Sequence, residues 1–493
     1  MLNINLLLME KQIMFYLFFS LFILITLGAY FILKYCFKFN KEKFDNIIKL
    51  ILKITVIVYC SLSFLTIILP DALSLCYDQE VLNMLDGEYV GPAILRWLGT
   101  LAFIMLPLAI FFKNRVVRNI AIYFCTLMTV ISVAFYPTLI EFLTSTTGKG
   151  LNSMSIVSDG MKEFLINPVF RSFLIGLIWG LELMIPIVLA VQEKHIFNVK
   201  SVKEWVYTIL VLLISILSCM PIYVPQHLFG YSKIIFDSWS IPHILWIFSV
   251  FAEIIILYFI FRNKDNEIKR IMLFVLSLSL ILQYNQMFGA ISIDFERLPF
   301  QLCNIGSYLI LFALITKSKK LFDFTVIVNV VGVIIALAMP DLDGEGLFYL
   351  YNMHFILEHT NVIVIPILAL VLGVFPRLDN KTIKHVLIGF SIYFLSILLL
   401  GTIFNGIAVH TGNDIYEANY LYMFNKETAM EFIGFVGPIF DITLKLGIFT
   451  LYPLMQLIIY AVFIAFCMIV YGTIRLIYFT KDKITSKFKK ETK

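Results

Sequence analysis

Thirteen stretches of about 20 mostly apolar residues recur along the chain. They lie near 13–35, 48–69, 93–112, 119–142, 170–191, 204–225, 241–261, 270–289, 299–316, 321–339, 354–374, 384–405 and 450–478. A helix needs about that length to cross the hydrocarbon of a bilayer, where its backbone polar groups must be satisfied within the segment. The expected fold class is therefore all-α, a polytopic transmembrane helix bundle of about 13 spans. Composition agrees: 60% of the 493 residues are hydrophobic and 14% charged, against about 45–50% and 25% in soluble domains. A soluble globular protein, a disordered chain and a coiled coil are excluded. The run at 13–33 meets no small-residue cleavage site before Lys34, so it is read as a retained helix and not a signal peptide.

The loops alternate in charge. One set is basic, holding Lys38, Lys113, Lys194, Arg262, Lys317, Arg377 and the tail from Lys481 to Lys493. The other is acidic and carries no Lys or Arg at Asp71–Val90 and Pro340–Met353. Basic loops stay cytoplasmic, which predicts the N-terminus outside and the C-terminus inside, in a bacterial plasma membrane. The tail would lie on an anionic inner leaflet. A net charge of +5 with no basic domain leaves no place for a nucleic-acid partner. The seven Cys are scattered and show no metal spacing, so neither a metal nor another cofactor is expected. Cys76 and Cys303 fall near outer ends of spans.

Two hairpins look alike. Gly99 to Leu139 and Cys303 to Leu342 each read as a helix, a basic turn and a helix ending in Pro-x-Leu. Further on, 177–190 parallels 357–370, with Pro186 against Pro366. The copies are six helices apart, so the expectation is two parallel repeats of about six helices plus a final helix. The domains would be 1–235, a diverged helical repeat; 236–480, the second membrane domain; and 481–493, a basic cytoplasmic tail. In this alignment His354, Glu358 and His359 face Leu174, Ile178 and Trp179, and Cys303 faces Gly99. The first copy is expected to have lost its polar groups, which puts any site in the second.

Polar residues at membrane depth are rare and usually face the bundle interior. His354, Glu358 and His359 open one helix at its outer end, with His354 and Glu358 on one face and His359 about 140° from His354. Cys303 opens another, where a thiol can be activated and a nearby His can serve as its base. Asn405, His410 and Asn419 are read as lying just past the outer end of the twelfth span. Glu182 and Glu253 are mid-span acids, and Asp341 and Asp343 mark an outer loop.

Several of these motifs keep a shared order. They are Leu298-Pro-Phe-Gln-Leu-Cys-Asn-Ile305, Met339-Pro-Asp-Leu342, and His354-Phe with Glu358-His359 seven residues before Pro366. Asn405, Asn419-Tyr-Leu-Tyr-Met423 and Gly437-Pro438 follow. On them the second half, about 240–478, resembles the YwaF-like family of integral membrane proteins, which includes the eukaryotic transmembrane protein 164. The resemblance implies an acyltransferase that places acyl chains on phospholipids, with a Cys and a His in its site. His359 matches the family His by its distance to the proline. In the eukaryotic branch the Cys follows the proline, a place held here by Phe300. The bacterial pattern puts a Cys where Cys303 stands, two residues after a His that is Gln301 here.

Three functional readings follow. The first is an outward-facing lipid acyltransferase or transacylase. His359 and Cys303 would be its catalytic pair, and His354, Glu358, Gln301, Asn405 and Asn419 would hold a membrane-lipid substrate. The second is a secondary transporter or flippase built on the duplicated bundles, with Glu182 and Glu253 as coupling groups. The third is a non-catalytic scaffold.

Overall fold

The computed structural model describes residues 2–68, 90–137, 160, 167–194, 201–230, 233–290, 295–296, 298–338, 340, 346–427, 429, 440 and 442–491. Cys76, the acidic loops at 71–89 and 341–345, residues 339, 341 and 342 of the Met-Pro-Asp-Leu motif, and Gly437-Pro438 lie outside the described residues.

The protein is an all-α, multi-pass membrane protein. Among the described residues, ten helices are long and apolar enough to cross a bilayer. In chain order the helices are α1 (Leu2–Cys36), α2 (Lys41–Ile68), α3 (Val90–Phe111), α4 (Arg115–Ala134), α5 (Pro168–Gln192), α6 (Val202–Ser218) and α7 (Val224–Phe229). Then come α8 (Ile241–Phe261), α9 (Asn266–Ala290), α10 (Leu302–Thr316), α11 (Lys319–Ala338), α12 (Leu350–Val371), α13 (Asn380–Thr411) and α14 (Pro453–Glu491). Each overlaps one of the thirteen apolar stretches, α7 by only its first two residues.

The differences have local causes. The stretch expected to run to 225 ends at Ser218, because Pro221 has no N–H and restricts the residue before it. The twelfth stretch runs on to Thr411 and stops at Gly412, whose φ of +63° closes a left-handed C-cap. Asn405 and His410 therefore lie within α13 and not beyond it. The tail expected from 481 is helical to Glu491. A short hairpin, β1 (Leu444–Leu446) with β2 (Phe449–Leu451), turns at Gly447, where φ is +63°. The apolar pattern gave no sign of that hairpin, nor of the π-helical stretch Ile120–Cys125 inside α4.

The chain divides into two compact units. The first holds Met1–Ile235, Leu278–Ser292 and Glu345–Phe355; the second holds Phe236–Ser277, Ile293–Gly344 and Ile356–Lys493.

In the first unit α1 lies along α5 because Gly176 and Gly180 leave room. A Cβ on Gly176 would meet the Phe19 backbone nitrogen at 3.0 Å. Beside this seam Phe15 stacks on Tyr136 with centroids 3.7 Å apart, and both meet Trp179 edge-on. At the basic turn Asn114 caps α4 through the Val116 and Val117 amides, and Arg115 pairs with Glu204 at 2.8 Å.

In the second unit α11 is buried at every position from Phe322 to Val331. Small residues again set the spacing: Gly306 faces Asn329, Gly389 faces Phe324 and Gly406 faces Phe449. Phe390 stacks on Phe463 at 4.5 Å, joining α13 to α14. At the basic end of this unit Asp323 is fully buried and accepts from Lys319 at 2.8 Å, with His385 Nδ1 at 2.7 Å.

Candidate functional site

Cys303 sits in the first turn of α10. Its thiol donates to Asn304 Oδ1 at 3.2 Å, and its carbonyl accepts from Ser307. The turn is fixed from outside the helix. Gln301 is the N-cap residue, yet its side chain does not cap α10. Instead its Oε1 accepts from the Leu421 amide at 3.3 Å. Tyr393 of α13 donates to the Phe300 carbonyl at 2.9 Å. Tyr420, wholly buried, donates to the Phe295 carbonyl, and the Phe295 amide donates to the Ile415 carbonyl at 2.9 Å. The segment before Cys303 is thus fastened to the segment 415–421.

That second segment is strained. Leu421 and Tyr422 are consecutive non-glycine residues in the left-handed region, at φ 51° and 57°. Such a conformation costs of order 1–3 kcal/mol per residue and persists only where the surroundings over-determine it. The surroundings here are Gln301 and two asparagines. Asn405 exchanges two hydrogen bonds with the backbone of Ala418, at 2.9 and 3.0 Å. Asn419 Oδ1 accepts from the Phe424 and Asn425 amides. Asn405, Asn419 and Gln301 therefore hold backbone in this structure, which makes them positioning residues around the Cys303 turn.

Helix α12 brings the acid and the histidines. Glu358 is 1% exposed and His359 7% exposed, both within a run that stays buried to Ile365. Glu358 acts electrostatically on the Cys303 thiol, as Tyr393 does from α13. A carboxylate can take a proton from a thiol but, unlike a cation, does not stabilise the thiolate. His354 packs elsewhere. Its ring lies 5.9 Å from Tyr284, and both residues belong to the first unit. Cys303, Gln301, Glu358, His359, Asn405 and Asn419 all belong to the second unit, while His354, one turn before Glu358 on α12, is assigned to the first. Among the described residues no group of three or more His, Cys, Asp or Glu could hold a metal ion.

The sequence singled out Glu182 as a mid-span acid but not the groups that surround it. The first unit is apolar where Glu358 and His359 have their counterparts: Ile178 and Trp179 are buried. It has not lost its polar groups, however. One turn on, buried Glu182 accepts from Tyr59 at 3.1 Å and contacts Thr129 at 2.6 Å. Its partners lie 123 and 53 residues away, so no local pattern could join them. The buried Asp323 cluster was not singled out either: Lys319 lies only four residues from Asp323, but His385 joins them from 62 residues away.

Residues 228–471 match the model of the TMEM164 family. No curated protein and no solved structure matches the chain. The second half of the chain is a TMEM164-family region.

Proposed function

We propose, taking a TMEM164-family second half as the premise, that this protein transfers acyl chains between membrane lipids at a site built around Cys303 and His359. The supporting observation is that Glu358 lies near enough to Cys303 to act on it electrostatically inside the matched region, with His359 the next residue on the same buried turn. The fastened, strained loop at 420–422 supports the reading as well, since residues held in such conformations cluster at active sites.

The reaction balances without an added co-reactant. The Cys303 sulfur attacks the ester carbonyl of a donor phospholipid, and His359 takes the thiol proton. The displaced lyso-lipid alkoxide leaves with that proton, and Cys303 carries the acyl group as a thioester. The hydroxyl of an acceptor lyso-lipid then gives its proton to His359 and attacks the thioester, and the returning thiol is reprotonated. General-base help of this kind contributes about 10²–10⁴ in rate. Glu358 belongs to the wall, and Gln301, Asn405 and Asn419 hold the walls in register. The proposal includes thirteen spans, the site at the outer leaflet and the C-terminus inside, motivated by the alternating loop charge.

The test is phospholipid acyl composition in a deletion strain complemented with wild type, His359→Ala or Cys303→Ala. Loss of acyl remodelling with both variants is expected. Loss with His359→Ala alone removes the thioester and leaves direct attack by the lyso-lipid hydroxyl. No change with either overturns acyl transfer. A transporter reading stands second, favoured by the buried Glu182 cluster in the first unit.

A further inference from the structure

The acyl-transfer reading leaves Glu182 unused. Its surroundings can be read by counting hydrogens. Glu182 Oε2 accepts from the Tyr59 hydroxyl at 3.1 Å. Glu182 Oε1 lies 2.6 Å from Thr129 Oγ1, which itself lies 2.9 Å from the Cys125 carbonyl oxygen. A threonine hydroxyl carries one proton, and a carbonyl oxygen can only accept. When the Thr129 proton goes to Cys125, the proton in the 2.6 Å contact belongs to Glu182. That distance falls in the short half of the range for O–H···O bonds. An ionised side chain at this depth is costly, and a neutral acid avoids the cost.

We infer that Glu182 is a proton-binding site inside the first unit, a carboxylic acid that donates to Thr129 and releases its proton when the Thr129 hydroxyl turns from Cys125 to the carboxylate. The ligand is the proton itself. Each state is satisfied. In the protonated state Glu182 donates to Thr129, and Thr129 to Cys125. In the ionised state Tyr59 and Thr129 both donate to the carboxylate, and Arg96 of α3 acts on it electrostatically.

The other neighbours are accounted for. From α2, Tyr59 and Cys60 lie close; from α4, Cys125 does, with Cys219 acting on Cys125 in turn. From α1 the residues against the adjoining turns are Phe18 and Phe22, which do not titrate. Cys125 also ends the π-helical stretch, whose kind often marks functional positions. Proton release therefore changes the load on a carbonyl where α4 returns to α-helical pitch. The site stands whether or not acyl transfer does, because it lies wholly in the first unit.

The experiment is infrared difference spectroscopy of the full chain in lipid nanodiscs at neutral pH. A carboxylic C=O stretch that shifts in D2O is expected, and Glu182→Gln should remove it. The difference against Glu182→Gln separates Glu182 from other acids at span depth, Glu253 and Glu358. Thr129→Val should move the band's frequency without abolishing it, and alkaline pH should convert it to carboxylate bands. If Glu182→Gln removes carboxylate bands, or leaves the acid band untouched, the inference is overturned. Should that variant fail to fold, an acid band that moves with neither Tyr59→Phe nor Thr129→Val overturns it equally.

Discussion

Helices α5 and α12 each carry a proline well inside, Pro186 and Pro366, and four to eight residues before it they diverge. α5 closes its contact with aromatic packing around Trp179 and holds its acid at Glu182, under hydroxyls from α2 and α4. α12 places Glu358 and His359 there, with Glu358 acting on a thiol from α10. An apolar span can hold an acid only where neighbouring helices bring polar atoms to it. The first unit meets that demand with Tyr59 and Thr129; in the second, Glu358 interacts electrostatically with the Cys303 thiol. Polarity has a different place in each half, so neither half is a passive copy of the other.

The sharpest way to break this comparison is to exchange roles at matched positions. His359→Ala should lower acyl remodelling by about 100-fold or more, the usual range for losing a general base. Trp179→Phe, at the matching place of the first unit, should leave it within about twofold, since Trp179 packs edge-on against the Phe15 and Tyr136 rings. Equal losses from both would put the chemistry outside the second unit.

A second contrast lies at the basic turns. Asp323→Asn takes the nearest carboxylate from His385 and from Lys319, which keeps only Asp379 at 3.7 Å, in a site where Asp323 is wholly buried. Breaking such a pair costs about 3 kcal/mol. In the first unit Arg115 and Glu204 pair with side chains 41% and 20% exposed. Glu204→Gln should cost about 1 kcal/mol or less, as surface pairs do. Thermal unfolding of the two variants in one detergent would reveal the ranking, and a reversed order would refute it.

The helix seams give a smaller effect. Gly176→Ala pushes a Cβ to 3.0 Å from backbone, which no rotamer relieves, so about 2 kcal/mol is expected from overpacking. Gly306→Ala meets the Asn329 amide at 2.6 Å, and among the described residues that amide has no hydrogen-bond partner to hold it. Its side chain can swing away, so the cost should fall below about 1 kcal/mol. If Gly306→Ala unfolds at a lower temperature than Gly176→Ala, the Asn329 amide is held after all.

The helices were legible because their cause is local. Twenty apolar residues in a row specify a span, and Asn114, Asn167, Ser240 and Asp379 mark starts by the capping their side chains perform. The site was legible only as residue types. That Gln301 would serve Leu421, or that Asn405 would clamp Ala418, depends on which helices meet, and spacing in one chain does not carry that. The end of α13 was misjudged because hydropathy fades at Asn405 while the backbone continues to Gly412. The π-helical stretch leaves no mark in an all-apolar run.

The smallest effect sharpens the comparison between an acid held neutral and an acid held charged. Asp379 begins α13 outside the span and closes a capping box with Thr382. Burial alone would raise its carboxyl, but Lys319 and the Lys381 and Thr382 amides outweigh that and hold it below the usual carboxylate range. A carboxyl depressed on folding adds stability at every pH above its unfolded value, about 3.9, and loses it as pH falls through the folded value. Unfolding temperature should therefore drop slightly below that range in wild type. Asp379→Asn keeps the cap, since Asn serves nearly as well, and should remove this part of the acid sensitivity while leaving neutral-pH stability almost unchanged. Glu182→Gln should do the opposite: a carboxyl that keeps its proton on folding loses stability as pH climbs from its unfolded value, about 4.3, through its folded one, so the variant should flatten that loss and leave the profile below about pH 4 unchanged. Two variants with the same pH profile would mean that the two halves do not hold their acids in opposite states.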